Sequence, residues 1–193
     1  MKSVPPGFSY SVPEDERAAF SELCRQPWTK FAVSGGAIGA NELEPHVYSV
    51  IQLIIEGGIT ALILLDSEDV AVTELYRIAI VHDKNRLEEM KSHVAPRFSE
   101  LRSFPADLRI NRFLNEKNNV SSIRFNVEIE DGKGGVLGEA VVDAGLLISN
   151  KNDRMVLYAN SAIPLDIALT TDEAKIVELL SKADSIDKLN LGV

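Results

Sequence analysis

Residues 123–130 alternate without interruption. Ile123, Phe125, Val127 and Ile129 are apolar, while Arg124, Asn126, Glu128 and Glu130 are polar. Successive side chains of extended backbone point to opposite faces, so a period of two collects the four apolar groups on one side. The pattern predicts a half-buried strand of an antiparallel sheet with one wet face. Asp131-Gly132-Lys133-Gly134-Gly135 follows, a tight connection whose glycines supply positive φ. Val136, Ala140, Val142, Ala144, Leu146 and Ile148 then share one parity and predict a second strand. Asn150-Lys151-Asn152-Asp153 is a turn signal. Met155, Leu157 and Ala159 predict a third strand running to about Ile163, where Pro164 cannot donate a ladder hydrogen bond. An antiparallel meander over 120–163 with one apolar face needs cover.

The rest of the chain supplies it. Ser11 and Glu14 fit a capping box with Pro13 in the first turn, predicting a helix over 11–25 with Phe20, Leu23 and Cys24 inward. Pro27 ends it, and Trp28 and Phe31 anchor the next segment. Residues 47–55 are apolar and read equally as helix or strand. Ile59 to Leu65 is apolar on both parities, as for an inner strand covered on both faces. Asp66-Ser67-Glu68-Asp69 reads as a turn. Residues 70–81 are read as strand over helix, because Tyr76, Ile78 and Ile80 alternate with Arg77 and Ala79. Leu87, Met90, Val94, Phe98 and Leu101 recur at helical spacing and predict a helix over 84–103. Thr170 and Glu173 fit a second capping box, for a helix over 171–183. The expected fold is therefore α+β: a mainly antiparallel sheet, with apolar strands over 47–82 added to the meander, flanked by three helices. Residues 1–193 are expected to form a single domain, with 1–10 a loosely held arm.

The chain has 29 acidic and 20 basic residues, a formal net charge of −9. That charge repels phosphate backbones and argues against broad nucleic-acid binding. The single cysteine, Cys24, allows no intrachain disulfide, which fits a reducing cytoplasm. No apolar run is long enough to span a bilayer.

Four stretches carry candidate chemistry. Ser34-Gly35-Gly36-Ala37-Ile38-Gly39-Ala40 approximates a dinucleotide-binding loop, but Asn41-Glu42-Leu43-Glu44-Pro45 follows where a helix should start, so it reads as a loop. Gly132-Lys133-Gly134 lacks the spacing of a phosphate-binding loop and reads as a hairpin turn. Asp66, Glu68 and Asp69 offer carboxylates to a hard cation without EF-hand spacing. Finally, His46 lies 36 residues before His82-Asp83, and Tyr76-Arg77-Ile78-Ala79-Ile80-Val81 precedes the pair. This resembles the HD family of metal-dependent phosphohydrolases. The resemblance implies helices carrying His46, His82 and Asp83 as ligands of a divalent metal ion that activates water.

Outside that resemblance the titratable residues do not converge in sequence, and no catalytic or cofactor-binding residue is assigned. The leading expectation is a non-enzymatic acidic cytoplasmic protein that docks a protein partner, basic in character, as an inhibitor or immunity protein does. Pairing of two copies through a sheet edge is a further expectation. The alternatives are the HD-type phosphohydrolase, and a small-molecule carrier with a pocket between the sheet and the 84–103 helix.

Overall fold

A computed structural model describes residues 7–34, 46–58, 60–82, 98–100, 109–159 and 166–189. The elements are β1 (Ser9–Tyr10), α1 (Glu14–Cys24), β2 (Trp28–Ser34), β3 (His46–Tyr48), β4 (Val50–Ile55), β5 (Thr60–Val70) and β6 (Thr73–Val81). They continue with β7 (Phe98–Glu100), a 3₁₀ turn (Ile110–Phe113), β8 (Asn119–Glu130), β9 (Val136–Ser149), β10 (Arg154–Ala159), β11 (Ile167–Thr170), α2 (Glu173–Lys182) and β12 (Ser185–Lys188). The fold is α+β and its sheets are mainly antiparallel.

One sheet has the order β12-β8-β9-β10-β11-β3, with β1 added in parallel to β9; the other has the order β6-β5-β4-β2-β7. The predicted meander is β8, β9 and β10, the last ending at Ala159, while 160–165 lie outside the described residues. Residues 47–55 contain two strands rather than one. The chain changes sheet at Ser49, so Tyr48 pairs with Ile167 and Val50 pairs with Leu64. Residues 70–81 are strand from Thr73 onward, as the alternation suggests.

Both sheets contribute to a single core. Phe31, Ile51, Leu53, Ile63, Ile78 and Ile80 of one sheet cluster with Val120, Leu146, Ile148, Met155, Leu157 and Leu169 of the other. Phe20 and Cys24 of α1 enter the same cluster. Burial pushes the Cys24 thiol up to about 12, consistent with an inert core residue. The outer face of the larger sheet is covered by α2, whose Ile176 packs on Ile123 and Val156.

Several boundaries differ from the sequence pattern, each for a local reason. Ser11 lies three residues before the first residue of α1, and its hydroxyl is hydrogen-bonded with that of Ser9. The helix starts at Glu14, and Arg17 N–H donates to the Pro13 carbonyl at 2.9 Å. Thr170 is the last residue of β11. Asp172 caps α2 by accepting from the Lys175 N–H at 3.0 Å. Asp66 to Asp69 form no turn: β5 continues to Val70, and the reversal falls at Ala71 (φ 58°) and Val72. In the predicted 84–103 helix, residues 98–100 form β7 on the edge of the smaller sheet, and the remainder lies outside the described residues. Ser9 and Tyr10, within the expected arm, form β1, and Val141 N–H donates to the Phe8 carbonyl at 3.1 Å.

The uniform parity predicted for β9 is interrupted by a bulge. Ile123 pairs with Gly145 and Arg124 with Asp143, leaving Ala144 as the extra residue. As a result Leu146 and Ile148 join the inter-sheet core, whereas Ala140 and Val142 join a separate cluster with Leu75 and Ile129.

Candidate functional site: the acidic hairpin ends

The β5–β6 and β8–β9 hairpins pack against each other at their ends. Leu75 of β6 is fully enclosed by Ile129, Ala140 and Val142 of the longer hairpin. Glu130 N–H donates to Thr73 Oγ1 at 2.9 Å. Val72 lies so close to Gly132 (φ 74°) that a Cβ there would meet Val72 Cγ1 at 3.0 Å. The second turn is held by Asp131, whose Oδ1 accepts from the N–H groups of Lys133 (2.7 Å) and Gly135 (2.9 Å). These bonds, Gly135 first, hold the Asp131 carboxyl below the ordinary aspartate range.

This end carries much of the chain's net negative charge. Residues 68–76 and 126–141 contain seven carboxylates (Glu68, Asp69, Glu74, Glu128, Glu130, Asp131 and Glu139) against one cation, Lys133. The net −6 is two-thirds of the chain's −9. The register sharpens the imbalance. Asp69 pairs directly with Glu74, and Glu128 directly with Glu139. All four are exposed. Like charges directly opposite each other on a sheet destabilise it. Tyr76, on the same strand as Glu74, has its phenol pushed up to about 12, first by its hydrogen bond to Glu74 and then by burial and the charges of Glu74 and Asp69. Two of the most exposed large apolar side chains sit at the same end: Val72 at 63% and Val136 at 57%.

Opposite charges are paired elsewhere. Arg77 lies opposite Asp66 and donates to it at 2.9 Å, with Glu16 of α1 at 3.5 Å and the Tyr10 ring beneath its guanidinium at 5.3 Å. Glu16 also accepts the Ile80 N–H at 3.1 Å, satisfying a donor on the edge strand β6. Burial, followed by the charge of Asp66, pushes the Tyr10 phenol up to about 12.

His46 opens β3 in one sheet and His82 follows β6 in the other, whereas the HD resemblance implies helices at both positions. Asp83 and the loop 35–40 lie outside the described residues. Among the described residues no three His, Cys, Asp or Glu side chains are grouped as a metal would require, and no helix is long and apolar enough to cross a membrane. The Glu128–Glu139 pair depends on the register shift between Ile129 and Glu130, which the turn residues 131–135 do not reveal, and the Asp69–Glu74 pair is hidden if Asp66 to Asp69 are taken as a turn. Once β5 is extended to Val70, that second pairing follows from counting back from Ala71 and Val72. No family model, curated protein or solved structure matches this chain.

Proposed function

We propose that this chain is a binding protein, without catalysis of its own, that docks a basic protein through the acidic hairpin ends. The observation that carries this reading is the pair of like-charge contacts, Asp69 with Glu74 and Glu128 with Glu139, on two hairpins that pack together. Each such pair costs several tenths of a kcal/mol to about 1 kcal/mol in the isolated protein. A basic partner relieves that repulsion and gains the desolvated contacts, so the field steers association and selects sign. Val72 and Val136 provide apolar contact within the charged rim. An acidic inhibitor of a basic enzyme or toxin is the kind of protein this arrangement suits.

The test uses isotope-labelled chain titrated with a small basic globular protein as probe. Amide shifts are expected to concentrate in 68–76 and 126–141 and to weaken with added salt. A variant carrying Asp69→Asn, Glu74→Gln, Glu128→Gln and Glu139→Gln is expected to fold and lose the response. Affinity capture from native lysate should return a stoichiometric partner with the wild type and not with this variant. Shifts spread evenly over the acidic residues of α1 and α2, or capture unchanged by the four substitutions, overturn the reading.

A further inference from the structure

A second charged feature, independent of the hairpin ends, is a cleft of about 380 Å³ lined by Arg109, Arg112, Asn152, Arg154, Thr171 and Glu173, among others. Three separate parts of the chain form it: the 3₁₀ turn, the β9–β10 connection and the start of α2. Two of its three arginines are ion-paired. Arg112 Nη1 donates to Asp153 Oδ1 at 2.7 Å, and the Arg112 carbonyl accepts from Asn150 Nδ2 at 2.8 Å. Arg154 engages both carboxylate oxygens of Glu173, with Nε to Oε2 at 3.3 Å and Nη2 to Oε1. Arg109 precedes the 3₁₀ turn with φ 40° and ψ 24° and is exposed.

Three guanidinium groups and two carboxylates give the cleft a formal charge of +1 in a chain of −9. Both carboxylates belong to ion pairs with exposed members, since the Arg112 side chain is 48% exposed and that of Glu173 62%. Such pairs are worth roughly 0–1 kcal/mol, so a ligand of higher charge displaces them at little cost. Guanidinium forks match oxyanions in geometry and keep their charge at any working pH. A volume of about 380 Å³ is at the low end of the roughly 300–1,000 Å³ of small-molecule sites. That is the scale of a small metabolite and not of a peptide or a nucleic acid.

We infer that this cleft binds a small phosphate dianion, free or as a monoester, with Arg112 and Arg154 as its forks and Glu173 as the carboxylate it displaces. The experiment follows backbone amides of the full chain while inorganic phosphate, glycerol phosphate and succinate are added separately. With phosphate, saturable shifts are expected at Arg109, Arg112, Asn152 to Arg154 and Thr171 to Glu173. Glycerol phosphate binding more tightly than phosphate assigns the site to a monoester, and equal affinities assign it to free phosphate. Arg154→Gln and Arg112→Gln each weaken binding by about tenfold or more, the loss of a charge-assisted fork.

Glu173→Gln separates a built site from diffuse attraction, because it removes the competing carboxylate and should tighten binding several-fold. Glu178→Gln, five residues further along α2 and paired with Lys182 at 2.6 Å, should change nothing. If an arginine variant fails to fold, Glu173→Gln and Arg109→Gln still decide the matter by moving affinity in opposite directions. Shifts that do not saturate, Glu173→Gln that weakens binding or leaves it unchanged, or succinate binding more tightly than phosphate would each overturn the inference.

Discussion

Asp143 is completely buried, and three donors converge on it. Val12 N–H and Arg17 Nη2 reach Oδ2 at 2.8 and 2.7 Å, and Arg124 Nε reaches Oδ1 at 2.8 Å. It ties α1 and the chain before it to the β8–β9 bulge. Asp143→Asn removes the charge shared by the two guanidinium groups, of which Arg124 keeps its ion pair with Asp187. Because those arginines are still about one-fifth exposed (19% and 22%), the expected loss is near the low end of a broken buried pair, about 3 kcal/mol. The midpoint of urea unfolding measures it. In the sequence Asp143 falls on the polar parity of its strand and passes for a solvent-facing residue. Alternation reports which face a side chain takes, but not what the rest of the chain lays over that face. Asp131 responds to pH instead. Its folded carboxyl is held below the ordinary aspartate range, so the folded state favours the ionised form. The stability it contributes is complete above the ordinary range and is lost as pH falls through the lowered value. Asp131→Asn keeps an acceptor for the Lys133 and Gly135 N–H groups. It is expected to preserve the turn while removing the acid-induced movement of those two amides, followed by NMR from pH 6 downward.

The strands of the central meander were legible as elements because their alternation is long and each turn has its own chemistry. The short ones were not. β11 and β12 have four residues each, and β3 has three. Their existence is decided by neighbours far away in sequence, such as Ser121 to Arg124 for β12. The bulge at Ala144 has one mark in the sequence of β9, Gly145 beside it, since a glycine inside a strand often accompanies a bulge. Gly145 is constrained by packing. A Cβ there would meet the Leu157 carbonyl oxygen at 3.1 Å and Ile123 Cδ1 at 3.3 Å. Gly145→Ala is therefore expected to cost about 1–3 kcal/mol as an overpacked site, read from the thermal midpoint. The acidic pairs make the opposite prediction. Glu128→Gln removes repulsion from Glu139 across the ladder and should raise stability by several tenths of a kcal/mol while weakening the docking response. Glu74→Gln should likewise bring Tyr76 down from about 12 toward the ordinary tyrosine value, measured by the ring carbon shift as pH is raised.

At the scale of the whole molecule, the arginine cleft could not be read from sequence at all. Residues 109–112, 152–154 and 171–173 share no motif, and only the topology of the larger sheet and α2 brings them together. The unity of the fold is a different matter, since its length predicts a single domain and its core permits a direct test. Ile63 on β5 and Leu157 on β10 are both fully buried in the cluster common to the two sheets. Each truncation to alanine should cost about 2–5 kcal/mol through lost burial and the cavity left behind. Trp28, the chain's one tryptophan, lies on β2 in the smaller sheet and is also fully buried. Its side chain belongs to the shared cluster, so its fluorescence reports on the core between the sheets, and far-ultraviolet circular dichroism on the strands of both. If the shared core makes the chain one cooperative unit, the two signals coincide in urea. Leu157→Ala, on the sheet without the tryptophan, must then shift the Trp28 transition as far as Ile63→Ala does per kcal/mol lost. Two sheets that unfold separately would split the dichroism curve in two and part it from the Trp28 fluorescence transition.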